Sequence, residues 1–193
     1  DDLALLNQDF VTVDEVTYND GTRWGEWSDG GGSSLELIDP HSDNRFAMNW
    51  AGSDETGKAQ WTDIVYTDTV DQGSGTPNEM RLMFLQEGEC LIDDIVIVKS
   101  DLSATYLSSN FETGLGSWSF WGNHSRSSLE TGEGASGSQS LHVRASGGGN
   151  LNTWHGQGDV FLNHVRVSIS PPAINSSVTL KAKVRWRAGS PRM

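Results

Sequence analysis

A chain of 193 residues is long enough for one large domain or two small ones, each able to bury a core. It carries 26 acidic and 13 basic side chains, a formal charge of −13, and residues 1–100 hold 21 of the acidic groups but only 5 of the basic ones. An acidic first half argues against nucleic acid or an anionic membrane as partner, because phosphate contact needs a basic surface, and it is accounted for by solubility in an exposed setting.

Glycine, serine, threonine, asparagine and aspartate are abundant, the apolar residues come in short runs, and no apolar stripe persists at helical spacing. The class is therefore all-β, a sandwich or jelly roll. Cys90 is the single cysteine, so no intrachain disulfide can form, and its place in an apolar run makes it a buried, inert thiol. No stretch approaches the ~18 apolar residues that span a bilayer, so membrane insertion is not expected. The chain starts at Asp1 in mid-pattern and reads as a fragment of a longer protein.

In chain order, Val11 to Tyr18 alternates β-branched with polar residues, as a half-buried strand does. Asn19-Asp20-Gly21 is a turn signal, since Asn and Gly tolerate positive φ. Trp24 and Trp27 follow, then a glycine-rich loop over 28–33 and a short strand over 34–38 closed by Asp39-Pro40. The series Val13 to Tyr18, a tryptophan, Asp29 to Leu37, Pro40, Asp43-Asn44 and Asn49-Trp50 resembles the C-terminal half of a bacterial lamin-tail domain. The resemblance covers residues 1–52 and implies part of an immunoglobulin-like β-sandwich, of a kind that recurs in large exported bacterial proteins.

Residues 51–58 are small and polar, a linker or long loop. Trp61 to Thr67 alternates again and predicts a strand; Glu79 to Leu85 and Leu91 to Val98 predict an antiparallel pair across residues 86–89. Together residues 53–100 read as a short β segment that closes a β module. A polar link over 99–105 leads to a second module over 104–193. Its opening, Asn110-Phe111-Glu112, Gly114-Leu115-Gly116 and Trp118, with Ser138 to Val143 after a glycine-rich loop, resembles family 4/9 carbohydrate-binding modules and related galactose-binding-like jelly rolls. In Val178 to Ala188, Lys181, Lys183, Arg185 and Arg187 alternate with Ala182, Val184, Trp186 and Ala188, as on a strand with one charged face. That face fits either an anionic partner or a solvated edge strand whose charges deter aggregation.

The jelly-roll resemblance implies a structural calcium where the opening segment meets the closing strand, which carries over to Glu112 and to Asp94 (or Asp93). Because those residues fall in different modules, they are not expected to share one ion. Alternation puts Asp93 and Asp94 on opposite faces, so a turn glutamate and a solvated aspartate explain them as well. Sugar binding needs an aromatic platform with a few placed polar groups. Trp121, Trp154 and His155 are the platform candidates, with Asn123, His124, Arg126, Asn152 and Gln157 nearby to read hydroxyls; Trp118 is assigned by the resemblance to the core. Each tryptophan has core packing as its alternative.

Catalysis finds little support. The five histidines are scattered without metalloprotease or nucleophile-base spacing, and His142, between Leu141 and Val143, is expected to face solvent. Adjacent strand carboxylates such as Asp93-Asp94 diverge, whereas a glycosidase pair must converge at about 5–9 Å. The expected function is non-enzymatic binding of a glycan or cell-surface polysaccharide by a region of a large exported bacterial protein, extracellular or at the cell surface. The alternatives are a structural spacer or protein-interaction module, and an accessory region of an enzyme whose catalytic domain lies elsewhere.

Overall fold

A computed structural model describes residues 2–19, 23–28, 33–54, 59–71, 76–148, 163–189 and 193. The chain divides into two compact units, Asp1–Thr56 and Gly57–Met193. The fold is all-β: the described residues contain strands and short 3-10 turns but no α-helix, and every strand pair is antiparallel.

In the first unit, β1 (Asp2–Leu6) and β2 (Thr12–Thr17) form a hairpin. The Asn7 side chain closes the turn by accepting the N–H groups of Asp9 and Val11, each at 2.9 Å. A second pair joins β3 (Leu35–Leu37) to β4 (Trp50–Gly52). The residues of the lamin-tail-like series interlock here. Asn44 Nδ2 donates to the Asp14 carboxylate at 2.8 and 2.9 Å, and the Trp50 indole N–H donates to the Asn44 carbonyl at 2.7 Å. Trp24 packs between Tyr18 and Trp50. The core is thin: Val16 is buried, while Leu3, Leu5, Phe10, Val11 and Val13 are all exposed.

The second unit holds the main core. Its strands are β5 (Thr62–Thr69), β6 (Glu79–Leu82), β7 (Gly88–Lys99), β8 (Thr105–Ser109), β9 (Ser119–Trp121), β10 (Ser128–Thr131), β11 (Gln139–Ala145), β12 (His164–Ser168) and β13 (Ser177–Gly189). One layer runs β10-β11-β7-β13-β5 with β8 also on β7; the other is β6-β12-β9. Cys90, Ile92, Ile95, Leu141 and Val143 from the first layer meet Val165 and Val167 from the second, with Phe84, Phe111 and Trp118 filling the ends. This is a β-sandwich with its core between unequal layers. Trp118 is 7% exposed and Cys90 is 3% exposed, and burial pushes the Cys90 thiol far above its ordinary range.

β7 is central because its β-branched run can be buried on both faces. Its twelve residues outrun any single neighbour on one side: β11 covers Gly88 to Ile92 and β8 covers Ile95 to Val98. Asp93 and Asp94 fall in the gap, and Asp94 takes a φ of 50° that interrupts the strand's alternation.

Several expectations are corrected. β6 does not pair with β7. Met80 and Leu82 turn inward with Val165 and Val167 to build the opposite layer, and the chain passes between layers through buried Met83 and Phe84. The junction drawn at residues 100–104 is the connection from β7 to β8 inside one sheet, with residues on both sides contributing to one core. β13 is an interior strand between β7 and β5, not an edge. Three of its four charges meet acidic partners: Lys183 with Asp63 at 2.8 Å, Arg185 with Glu133 at 3.1 Å, and Arg187 with Glu130 and Glu133 at 3.2 and 2.8 Å.

His142 is the other reversal. It does point away from the core, yet it is 1% exposed because Glu89 and Glu130 fold over it, their carboxylates 2.8 and 2.9 Å from Nε2 and Nδ1. The canopy of Glu89, Glu130, Glu133, Arg144, Arg185 and Arg187 also roofs Leu91, which is fully buried on that outer face. The hydrogen bond from His142 holds Glu89 below the usual carboxylate range despite its partial burial.

Candidate functional site

The smaller layer carries an exposed tryptophan. In β9, Phe120 turns into the core and leaves Ser119 and Trp121 on the outer face. In β12, Val165 and Val167 are buried inward, so His164, Arg166 and Ser168 face outward beside them. In β6, Met80 and Leu82 point inward and Glu79 and Arg81 outward. The register then sets Trp121 opposite His164, and lines up Arg81, Arg166 and Ser119 in one row across three strands.

Trp121 is 46% exposed. Its indole stacks on the His164 imidazole with centroids 6.1 Å apart and planes at 24°, and the Arg166 guanidinium stands 5.4 Å from the ring centre. Both neighbours belong to β12, so they cover the side of the indole that faces that strand. The indole N–H donates to Ser119 Oγ at 3.2 Å, which fixes the ring along β9.

Directly opposed like charges destabilise a sheet, and Arg81 and Arg166 are directly opposed. Glu79 bridges them: Oε2 accepts from Arg81 Nε and Nη2 at 3.1 and 2.7 Å, and Oε1 accepts from Arg166 Nη1 at 3.1 Å. The Arg81 hydrogen bonds, with Arg166 assisting against some desolvation, hold the Glu79 carboxyl below its ordinary range. The assembly is an aromatic ring flanked by a strip of charged and hydroxyl groups on a sheet face. That is the chemistry that packs and orients a polar ring-shaped ligand.

The other sugar-site candidates stand differently. Asn123 is committed to the protein. Its N–H donates to Asn163 Oδ1 at 3.0 Å, its Nδ2 to the Gly147 carbonyl at 2.6 Å, and its Oδ1 accepts from His124 Nδ1–H. His124 is fully buried and its Nε2 accepts the Phe84 N–H at 3.1 Å, which fixes the neutral tautomer with the proton on Nδ1. Burial, with nearby His164 adding to it, lowers the His124 pKa to about 4. Arg126 is exposed just beyond this turn. Trp154 and His155, with Asn152 and Gln157, lie outside the described residues.

The proposed calcium ligands hold a loop. Asp93 is fully buried and accepts the N–H groups of Asp94, Ala135 and Ser136 at 2.7, 2.9 and 3.2 Å. The Asp94 carboxylate accepts the Ser136 hydroxyl at 2.7 and 2.8 Å. Glu112 Oε1 accepts the N–H groups of Ser138 and Gln139 at 2.9 and 2.7 Å. All three carboxylates therefore grip residues 135–139, the loop that fills the gap between β11 and β8. The expectation that Glu112 and Asp94 sit in separate modules gives way to one shared loop. Among the described residues, no three His, Cys, Asp or Glu side chains are grouped to hold a metal ion, and these oxygens already accept protein donors.

Sequence reading singled out Trp121 but missed Glu79, Arg81, His164 and Arg166. The available signal was the alternation in His164-Val165-Arg166-Val167-Ser168, which marks a strand with its polar residues on one side. Comparison with protein-family models, with curated proteins and with solved structures gives no match to this chain.

Proposed function

We propose that this chain is a non-catalytic glycan-binding or adhesion region of a larger exported protein, acting outside the cell or at its surface. One observation carries the reading: a half-exposed tryptophan is fixed on an outer sheet face by Ser119, His164 and Arg166, beside a row of hydrogen-bonding side chains. An indole that only filled core volume would sit inward, as Trp118 does. The resemblance of the 104–193 region to carbohydrate-binding modules agrees with this. Titrating the purified chain with soluble polysaccharides while following tryptophan fluorescence tests it. A saturable change with one glycan is expected, and Trp121→Ala should abolish it while leaving the unfolding transition in place. Unaltered binding by Trp121→Ala would remove the site from this face.

A structural spacer or interaction module is the second reading. It is favoured by an apolar groove of about 470 Å³ where the larger layer extends past β6, lined by Ile64, Met80, Leu82, Leu180 and Val184. No response across a broad glycan panel, from a cooperatively folded sample, would select it.

A further inference from the structure

Resting on the glycan reading of the β6-β12-β9 face, we propose that its ligand is acidic: a polysaccharide of uronic acids, whose carboxylate is taken by Arg166. Two guanidiniums on this face, Arg81 and Arg166, converge on the single carboxylate of Glu79. They do so unequally. Arg81 engages Glu79 through two nitrogens, whereas Arg166 gives it Nη1 alone. Among the described residues no acceptor takes the Nη2 and Nε edge of Arg166, whose side chain is 35% exposed. A guanidinium edge with two parallel N–H donors is the shape that a carboxylate fills in bidentate fashion.

Position makes that edge part of the same site. The Arg166 guanidinium lies 5.4 Å from the centre of the Trp121 indole. A sugar resting on the outer part of that ring, or the next sugar along the chain, brings a ring carboxylate over β12. Trp121 stands diagonal to Arg166, whose own row runs from Ser119 through Arg166 to Arg81 at the strand spacing of about 4.8 Å. A linear polymer laid from the indole across β12 passes Arg166 before it reaches β6.

The overall acidity of the chain does not oppose this ligand. Residues 57–193 contain 13 acidic and 11 basic side chains, so nearly all the negative excess belongs to residues 1–56. Near-neutral surroundings leave the arginine strip to set the local sign.

The test uses one polymer backbone in two charge states: polygalacturonate and its fully methyl-esterified form, titrated into the whole chain by calorimetry. Binding of the free acid should be about tenfold or more tighter than of the ester, and should weaken as salt is raised. Arg166→Gln should remove that preference, and Arg166→Lys should keep part of it. Glu79→Gln, which withdraws the competing carboxylate, should raise the ratio of acid to ester binding. A gain of that kind does not arise from a misfolded variant. Equal binding of acid and ester, an Arg166→Gln variant that keeps the preference, or binding of a neutral glycan through Trp121 without any uronate binding would each overturn the acidic assignment while leaving the glycan reading intact. No binding of any polymer, acidic or neutral, would overturn both.

Discussion

At the scale of single residues, the buried histidine at 124 links acidity to stability. It is neutral in the fold, its Nε2 accepting the Phe84 N–H, with a pKa of about 4 against the ordinary 6.5 of a free imidazole. A folded pKa below the unfolded one means that the unfolded chain binds more protons between those values. Stability from this group is therefore complete above about pH 6.5 and drains away as the pH falls toward 4. At about 1.4 kcal/mol per unit the loss is on the order of 3 kcal/mol. Thermal melts at pH 7 and pH 4.5 should show a steeper acid loss in the native chain than in His124→Gln, whose amide can still accept from Phe84. Equal acid sensitivity of the two would place the titrating group elsewhere. The same scale shows how far sequence can reach. Trp121 stood out as a large apolar ring among glycines and polar residues, and it is exposed. Arg166, which stands over its ring, is 45 positions away in the sequence. Only the pairing of β12 with β9 brings them together, and no local pattern encodes that register.

At the scale of elements, the break along β7 is the most demanding feature. The loop that fills it depends on Gly137, whose φ is 96° and where a Cβ would lie 2.6 Å from Glu112 Cδ. Gly137→Ala should therefore cost about 2 kcal/mol or more, read as a lowered denaturation midpoint. Asp93→Ala should cost on the order of 3 kcal/mol, because it leaves three backbone N–H groups without their acceptor. A pair of melts that left either variant at the native midpoint would refute the role given to this loop. Arg187, 12% exposed and bonded to both Glu130 and Glu133, makes a similar case in the canopy. Arg187→Ala takes one partner from each carboxylate, leaving Glu130 to His142 and Glu133 to Arg185, and should cost about 1 to 2 kcal/mol. Long alternating strands such as β5, β7, β11 and β13 were legible, since a β-branched run has few other ways to be buried. Short β3 and β6 were legible too, but β9 and β10 were not. β9 has three residues and β10 has four, and strands of that length are made by their partners rather than by propensity. The misassigned pairing of β6 has the same origin. Proximity in sequence favours a hairpin, but inward-facing Met80 and Leu82 are better buried as part of a second layer.

At the scale of the whole molecule, the two units differ in what supports them. The second has a continuous core drawn from both layers, while the first leaves six large apolar residues of its hairpin exposed. Residues 57–193 expressed alone should unfold in one cooperative transition at the temperature seen in the full chain. Residues 1–56 alone should show no such transition and should bind a hydrophobic dye. A cooperative melt from the shorter piece would show that its small aromatic cluster of Tyr18, Trp24 and Trp50 suffices.

The placement of β13 has a kinetic consequence. It is the last strand of the second unit, yet it lies in the middle of the larger sheet, paired with β5 on one side and β7 on the other. A chain emerging from a ribosome reaches Gly189 only after every other strand has been made. Until then β5 has no neighbour and β7 has one flank open. Closing the core must then wait for contacts that join residues 62–69 to residues 177–184, among the longest loops that this unit can form. The larger sheet of this unit therefore stays incomplete until residues 177–189 are free to pair.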